Sequence, residues 1–433
     1  MRELVGTSSP RETNRRLKFL IEAGVSALDP ITDGPSTDGV DSDHPMAELE
    51  VGREGVPICS LRDMETMMEG IPLDQVSTTL STVPPVELFY LALADKREIP
   101  LSKIRGTALT GEIYSSLLCY SLDLHPVDVG LRLAADSLLF CAENAPRFYP
   151  VNVGPEGLRE SGATAAQEIA WDFCIARAIL KEAVGKGGDI DKIGSRMTFI
   201  HRVGVDIFEE AAKFRAARKV WAKMMREDFG AKDPRSLTYK VHVVTKGSDS
   251  TCQEPLNNIV RIAYQALAAV LGGVQSLHTI AYDEPIAVPT EEAHRIAVRT
   301  QQILCYETGV VNTVDPLGGS YYVESPTRQL EEEITRIMAE WKDKILEGIS
   351  SKELMRILNS QAYQFQKEVE SVERVVVGVN RFAAEEEVMP VEAHEVNEEA
   401  VREHLNNLRE LRGTRDNQKV KESLENLYKV CRD

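Results

Sequence analysis

Seven polar residues sit beside two β-rich runs and are the first candidates for chemistry. His242 and Thr245 fall in Tyr239-Lys240-Val241-His242-Val243-Val244-Thr245. Gln275, Ser276 and His278 fall in the run from Val274 to Ile280, and Asp283 and Glu284 follow it. In a parallel α/β barrel the reactive face lies at the C-terminal ends of the strands, which is where these residues are expected. A polar residue of a barrel can equally be a satisfied core group, and Glu284, which precedes Pro285, can simply shape its loop. The eight histidines carry no H-E-x-x-H metal signature. There is no G-x-x-x-x-G-K-[ST] phosphate loop and no G-x-S-x-G nucleophile motif, and Gly318-Gly319 reads as a tight turn. Seven scattered cysteines form no C-x-x-C pair and no zinc spacing. From the residues alone, the reading is an α/β protein with a barrel favoured.

The elements that must position these side chains follow from periodicity. Ile207, Ala211, Phe214, Trp221 and Met225 recur at helical spacing, which predicts a buried-faced helix over 206–229. Asp206 is its N-cap and Gly230 its stop. A strand at 239–245, a helix at 255–271 broken by Gly272-Gly273, a strand at 274–280 and a helix at 290–308 come next. Repetition of strand, loop and helix favours a parallel sheet or barrel. Earlier segments agree: a helix at 11–23, a strand near 76–82 and a helix near 86–95. Residues 30–45 are rich in turn formers and read as loop. After Val379-Asn380 the chain turns polar, so 1–382 reads as the barrel and 383–433 as a linker with a charged helical tail that suits packing on a partner.

With 433 residues the chain is long enough for an α/β barrel. A net charge of −18 argues against a nucleic-acid surface, which needs clustered Lys and Arg. No apolar run reaches the roughly 18 residues of a membrane helix. Unpaired cysteines and the absence of a signal-peptide core suit a cytoplasmic protein.

Longer strings are more specific. Phe208-Glu209-Glu210-Ala211-Ala212-Lys213-Phe214-Arg215-Ala216-Ala217-Arg218, the stretch from Ala268 to Thr279 (A-A-V-L-G-G-V-Q-S-L-H-T), Arg299-Thr300-Gln301-Gln302 and Val314-Asp315-Pro316-Leu317-Gly318-Gly319-Ser320-Tyr321-Tyr322-Val323-Glu324 carry a resemblance. Asp41-Ser42-Asp43-His44-Pro45 and Val379-Asn380-Arg381-Phe382 extend it. In these strings the chain resembles the acyl-CoA mutase family, of which methylmalonyl-CoA mutase is the best-known member, in one register from residue 1 to about 430. The resemblance implies a (β/α)8 TIM-type barrel with a C-terminal helical tail, and an isomerase that uses adenosylcobalamin in a radical rearrangement. It assigns His242 to catalysis, Glu284 and Gln275 to the cofactor, and Arg196, Thr198, Lys240 and Ser276 to the substrate. The cofactor does the hard step, while the protein orients the substrate and excludes side reactions.

Departures from the family pattern qualify that picture. The family's D-x-H-x-x-G cobalamin motif is absent; the nearest string is Asp123-Leu124-His125-Pro126-Val127-Asp128. A small, separate cobalamin-binding subunit is therefore expected as partner in a hetero-oligomer. The family's belt beside CoA would precede Met1. Its G-Y-H falls on Pro155-Glu156-Gly157, a glutamine falls on Leu109, and the second polar residue of F-H-x-Q is Val244, with Lys240 in place of Arg. Arg to Lys at a forked contact is not conservative. The expectation is a carbon-skeleton mutase for a carboxylic acid, amino acid or acyl thioester, with CoA not a ligand. The alternative is a non-catalytic scaffold subunit of a heteromeric mutase. Retention of Glu284, Gln275 and His242 together favours the enzyme.

Overall fold

The computed structural model describes residues 1–80, 84–109, 113, 126–154, 157–384 and 395–432. Pro155, Glu156 and the string at 123–125 lie outside the described residues. Eight parallel strands close into a barrel in chain order, the arrangement the sequence implies. They are β1 (Arg2–Val5), β2 (Ala27–Pro30), β3 (Ser77–Leu80), β4 (Gly106–Leu109), β5 (Phe148–Val153), β6 (Met197–Val203), β7 (Val241–Thr245) and β8 (Ser276–His278). Arg2 of β1 pairs with His278 of β8 and closes the ring. Among the described residues, no helix is long and apolar enough to cross a membrane.

Alternation along the strands sorts side chains between the helical shell and the barrel axis. On β6 and β7, Met197, Phe199, Val203, Val241 and Val243 belong to the large outer core. Phe199 meets Phe173, Trp221 and Tyr239 there, with ring centroids 5.0–5.1 Å away. The opposite faces carry Thr198, Ile200, His242 and Val244. An ordinary barrel of this kind fills its axis with branched apolar side chains. Here much of the axis is polar: Asn152, Thr198, His242 and Ser276 line a cavity, and Thr79 and Thr107 join their hydroxyls at 2.6 Å.

The helix read over 206–229 forms as Ile207–Phe229. Asp206 accepts hydrogen bonds from the Phe208 and Glu209 backbones at 3.2 and 3.0 Å, and Gly230 ends it at φ 66°. Ala211, Phe214, Trp221 and Met225 are buried, and Ile207 is half-buried. Asp206→Ala is expected to cost about 1 kcal/mol through the lost cap. A fall of that size in the urea midpoint, at unchanged slope, checks it.

One of the sequence expectations needs correction. The stretch at 30–45 contains a short helix, Gly34–Thr37, because Asp33 caps Ser36 at 3.0 Å. The charged tail is two helices, Glu398–Thr414 and Asn417–Arg432. They break because Arg415 is extended and Asp416 caps the Gln418 and Lys419 backbones. The first of them buries Ala400, His404 and Leu408. His404 meets Ser42, so the helix packs on the chain's own early segment.

Candidate active site

Six of the seven site residues named from the sequence come together. Arg196, Thr198, Lys240, His242, Gln275 and Ser276 line one cavity of about 480 Å³. Their place in the barrel differs from expectation. Ser276 opens β8 rather than ending it, and Gln275, like Arg196 and Lys240 at β6 and β7, just precedes its strand. The cavity therefore enters from the N-terminal end of the strands. The strand at 274–280 is shorter than its β-rich composition suggests, because Val274 and Gln275 complete the turn after Gly272-Gly273.

The mouth is cationic. Arg2, Arg105, Arg147, Arg196 and Lys240 all line it, and among the described residues no carboxylate does. Tyr149 lies under Arg196 and Lys240, 5.4 and 6.0 Å from the ring centroid. Lys240 donates to the Ser195 and Arg235 carbonyls at 3.2 and 3.1 Å. Burial, then the charges of Arg196 and Arg235, pull its pKa down to about 8. Gln275 is tied into the sheet: its side-chain oxygen accepts from Val241 N–H at 2.7 Å and its amide donates to Gly273 O.

Deeper in, Thr198 donates to Val151 O and Asn152 Oδ1 at 3.2 and 3.1 Å. His242 is 93% buried, and its Nδ1 lies 2.9 Å from Ser276 Oγ. Burial first, then the charges of Arg2, His278 and Arg202, hold its pKa well below the usual imidazole range. The ring is therefore neutral, and the 3.9 Å approach of Nε2 to Asp29 is not an ion pair. Nε2 has no hydrogen-bond partner among the described residues. A buried polar atom without a partner carries a desolvation cost, so a ligand that meets it recovers that energy.

Beyond His242 the axis is mixed: Val244 stands in register with Arg202 of β6 and His278 of β8, and an apolar cluster gathers around it. Val244, two residues on, packs with Ile200, Ile262 and Ile280 and with half-buried Leu109 and Tyr282. Both positions where the family pattern has a glutamine, 109 and 244, fall in this one cluster.

Glu284 stands apart, exposed at the C-terminal mouth. Gly247, just after β7, brings it beside Glu160: a Cβ on that glycine would lie 3.6 Å from Glu160 Oε1 and 3.9 Å from Glu284 Oε1. Glu160 accepts from the Gly247 and Ser248 backbones at 2.7 and 2.8 Å and meets Arg202 Nε at 3.3 Å. Asp283 has a different task. It is buried and accepts from both Thr290 N–H and Thr290 Oγ, fixing the start of helix Glu291–Tyr306.

Sequence reasoning missed Arg2, Arg105, Arg147, Tyr149, Asn152 and Glu160. Arg105 and Arg147 each precede the first residue of a strand, and that recurring basic residue was the available signal. The rule that looks only at C-terminal strand ends passes over it.

Comparison with known proteins agrees with this geometry. The family model described as methylmalonyl-CoA mutase matches residues 1–433. The chain is 36% identical to the 2-hydroxyisobutanoyl-CoA mutase large subunit of Aquincola tertiaricarbonis, covering 100% of this chain and 78% of that one. It is 34% identical to the methylmalonyl-CoA mutase of Rhizobium meliloti, over 100% of this chain and 61% of that protein. For the Escherichia coli methylmalonyl-CoA mutase the figures are 33%, 98% and 60%. The chain thus spans about three fifths of the methylmalonyl-CoA mutases it matches. These relatives are isomerases of the intramolecular transferase kind. A polar-axis barrel matched from end to end by one family's model has a definite place: the chain belongs to the methylmalonyl-CoA mutase family.

Proposed function

We propose that this chain is the substrate barrel of an adenosylcobalamin-dependent carbon-skeleton mutase acting on an acyl thioester. One observation carries the reading: a polar cavity whose described lining has five cations and no carboxylate, in a chain of net charge −18. A neutral acid or amino acid needs no such mouth, whereas the phosphates of a CoA-type carrier do. This reverses the sequence-based expectation that CoA is not a ligand.

The residues divide the work by depth. Arg105, Arg147, Arg196 and Lys240 hold the anionic carrier. Thr198, Ser276 and the unpartnered Nε2 of neutral His242 orient the acyl end and can donate to its carbonyl. At the far mouth, Glu284 and Glu160 flank Gly247, and carboxylates accept hydrogen bonds from vicinal hydroxyls. That pair of acceptors fits the ribose of an adenosyl group. When bound, adenosylcobalamin supplies the radical that abstracts hydrogen. The sequence has no D-x-H-x-x-G, so we assign the corrin to a module outside these 433 residues, a small partner subunit being the simplest form.

The apolar cluster of Ile200, Val244, Ile280 and Leu109 favours a second reading. It lies between the cavity and Glu284 and gives a scaffold that binds acyl-CoA without turning it over. One reconstitution separates the two. The chain, a cobalamin-binding module, adenosylcobalamin and short acyl-CoA esters are mixed and frozen for electron paramagnetic resonance. Substrate-triggered cob(II)alamin signal and isomerised product are expected, and Glu284→Ala should lower turnover roughly ten- to hundredfold, the worth of charged hydrogen bonds. No signal with any ester selects the scaffold.

A further inference from the structure

Away from the barrel axis, four side chains make an arrangement that neither the fold nor the mutase reading uses. Cys59 Sγ accepts from the Ser42 backbone at 3.2 Å and lies 3.1 Å from Ser42 Oγ. Ser42 Oγ is 3.0 Å from His404 Nε2, which is itself 3.9 Å from the sulfur. On the other side of the ring, His404 Nδ1 faces Asp63 Oδ1 at 3.5 Å. Asp63 is held in turn, accepting from Cys59 N–H and Ser60 Oγ at 3.1 and 2.8 Å. Sulfur, base and orienting carboxylate thus stand in sequence, as in activated-nucleophile sites generally.

The surroundings set this thiol apart from Cys141, Cys174 and Cys252. Burial opposes a charge on His404, yet hydrogen bonds to Asp63 and Cys59 lift its pKa to about 9. Cys141 and Cys174 are buried among apolar residues, and burial pushes both thiols up. Cys252 is exposed and only donates to Pro285 O. Cys59 is half-buried, and a cavity of about 470 Å³ opens beside it at Ser42, lined also by Arg53 and Arg402. His404 comes from helix Glu398–Thr414, which has only three buried residues, Ala400, His404 and Leu408. What happens at Cys59 therefore bears on the docking of that helix.

We propose that Cys59 is a modification site, an activated thiol oxidised by hydroperoxides, whose state sets whether helix Glu398–Thr414 stays docked. His404, with its raised pKa, is already an imidazolium at neutral pH and faces Asp63, and through Ser42 Oγ it favours the thiolate form of Cys59. The sulfur attacks the peroxide, an S–O bond forms and the O–O bond breaks. The departing oxygen takes the proton from His404 and leaves as an alcohol or water. Sulfur loses two electrons to become a sulfenic acid, and the peroxide gains them. The added oxygen must fit where Sγ already touches Ser42 N and Oγ, so it displaces the His404 contact and loosens the helix.

The test uses the full chain, with iodoacetamide labelling of each cysteine followed by mass spectrometry. Cys59 should label at least about tenfold faster than the more exposed Cys252, because nucleophilic activation and not access sets the rate. Leu408→Ala, which undocks the helix without touching the relay, should slow Cys59 towards the rate of an ordinary thiol, although it exposes it. Hydrogen exchange over 398–414 verifies the undocking, and His404→Asn should slow Cys59 in the same way. Hydrogen peroxide should then give a dimedone-trapped sulfenic acid at Cys59 and faster exchange in 398–414. Equal labelling of Cys59 and Cys252 overturns the proposal. So does a Leu408→Ala rate that matches or exceeds the parent's, and so does peroxide treatment that leaves the helix exchange unchanged.

Discussion

Lys213→Ala is expected to destabilise the barrel by about 3–5 kcal/mol, the cost of leaving a buried charge without its partner. Lys213 is fully buried on helix Ile207–Phe229. Its ammonium donates to Glu168 Oε2 at 2.9 Å and to Arg202 O at 2.5 Å, and it forms an ion pair with Glu210 Oε2 at 2.5 Å. Both carboxylates are buried as well, and Arg159 reaches Glu210 Oε1 at 2.7 Å. Removing the amine leaves Glu168 and Glu210 facing one another across a cavity. The urea midpoint should fall at unchanged slope. Lys213→Met with Glu210→Gln should recover part of the loss, because it removes charge from both sides. If the double variant is no more stable than Lys213→Ala, the charges are not the cause.

The same network sets an acid limit. Burial opposes the charge on Glu210, but Lys213 and Arg159 hold its pKa down at about 2, against an ordinary 4.5. A depressed folded-state pKa gives stability that is fully present above the unfolded value and is lost as pH falls through the folded one. The contribution of Glu210 should therefore fade between about pH 4.5 and pH 2. In Lys213→Ala this pH-dependent loss should be smaller and complete at a higher pH, because the carboxylate has lost one of its two cations and its folded-state pKa rises. Acid unfolding followed by circular dichroism reads the shift.

The sequence carried the architecture because local signals and global fold agree there. Asp206 and Gly230 bracket their helix through capping geometry that two residues determine. The candidate site was only half legible. Its residue types were found, but a rule about strand ends put Gln275 and Ser276 on the wrong face of the barrel. A β-rich composition does not say which residue of a run makes the first ladder hydrogen bond. Leu109 and Val244 read as two isolated departures from a pattern; only the closed ring puts them in one apolar cluster. The Cys59 relay was not readable at all. Its histidine lies 345 residues along the chain from the sulfur, and a charged amphipathic helix gives no sign of where it docks.

The largest expected effect on ligand binding lies at the mouth. Arg196→Ala combined with Lys240→Ala should weaken CoA binding roughly hundredfold or more, since each charged hydrogen bond is worth about 1.5–3 kcal/mol. Lys240 adds a signature that a merely structural lysine would not give. With its pKa near 8, it is largely protonated at pH 7 and largely neutral at pH 9. Only the protonated amine attracts a phosphate. Above pH 8, binding must therefore take up a proton, and affinity should fall by up to about tenfold per pH unit until pH passes the raised pKa of the phosphate-bound amine. Calorimetry at pH 8.5 in buffers of different ionisation enthalpy should register the uptake. Lys240→Ala should abolish both the uptake and the slope, while Arg196→Ala weakens binding yet leaves a slope. Desolvation and like charge lower this pKa, and the anion removes the second of those causes. Arg196→Ala should accordingly raise the Lys240 pKa in the free chain and move the onset of the slope to higher pH. A slope that persists unchanged in Lys240→Ala would remove Lys240 from the carrier site and leave the arginines to hold the phosphates alone.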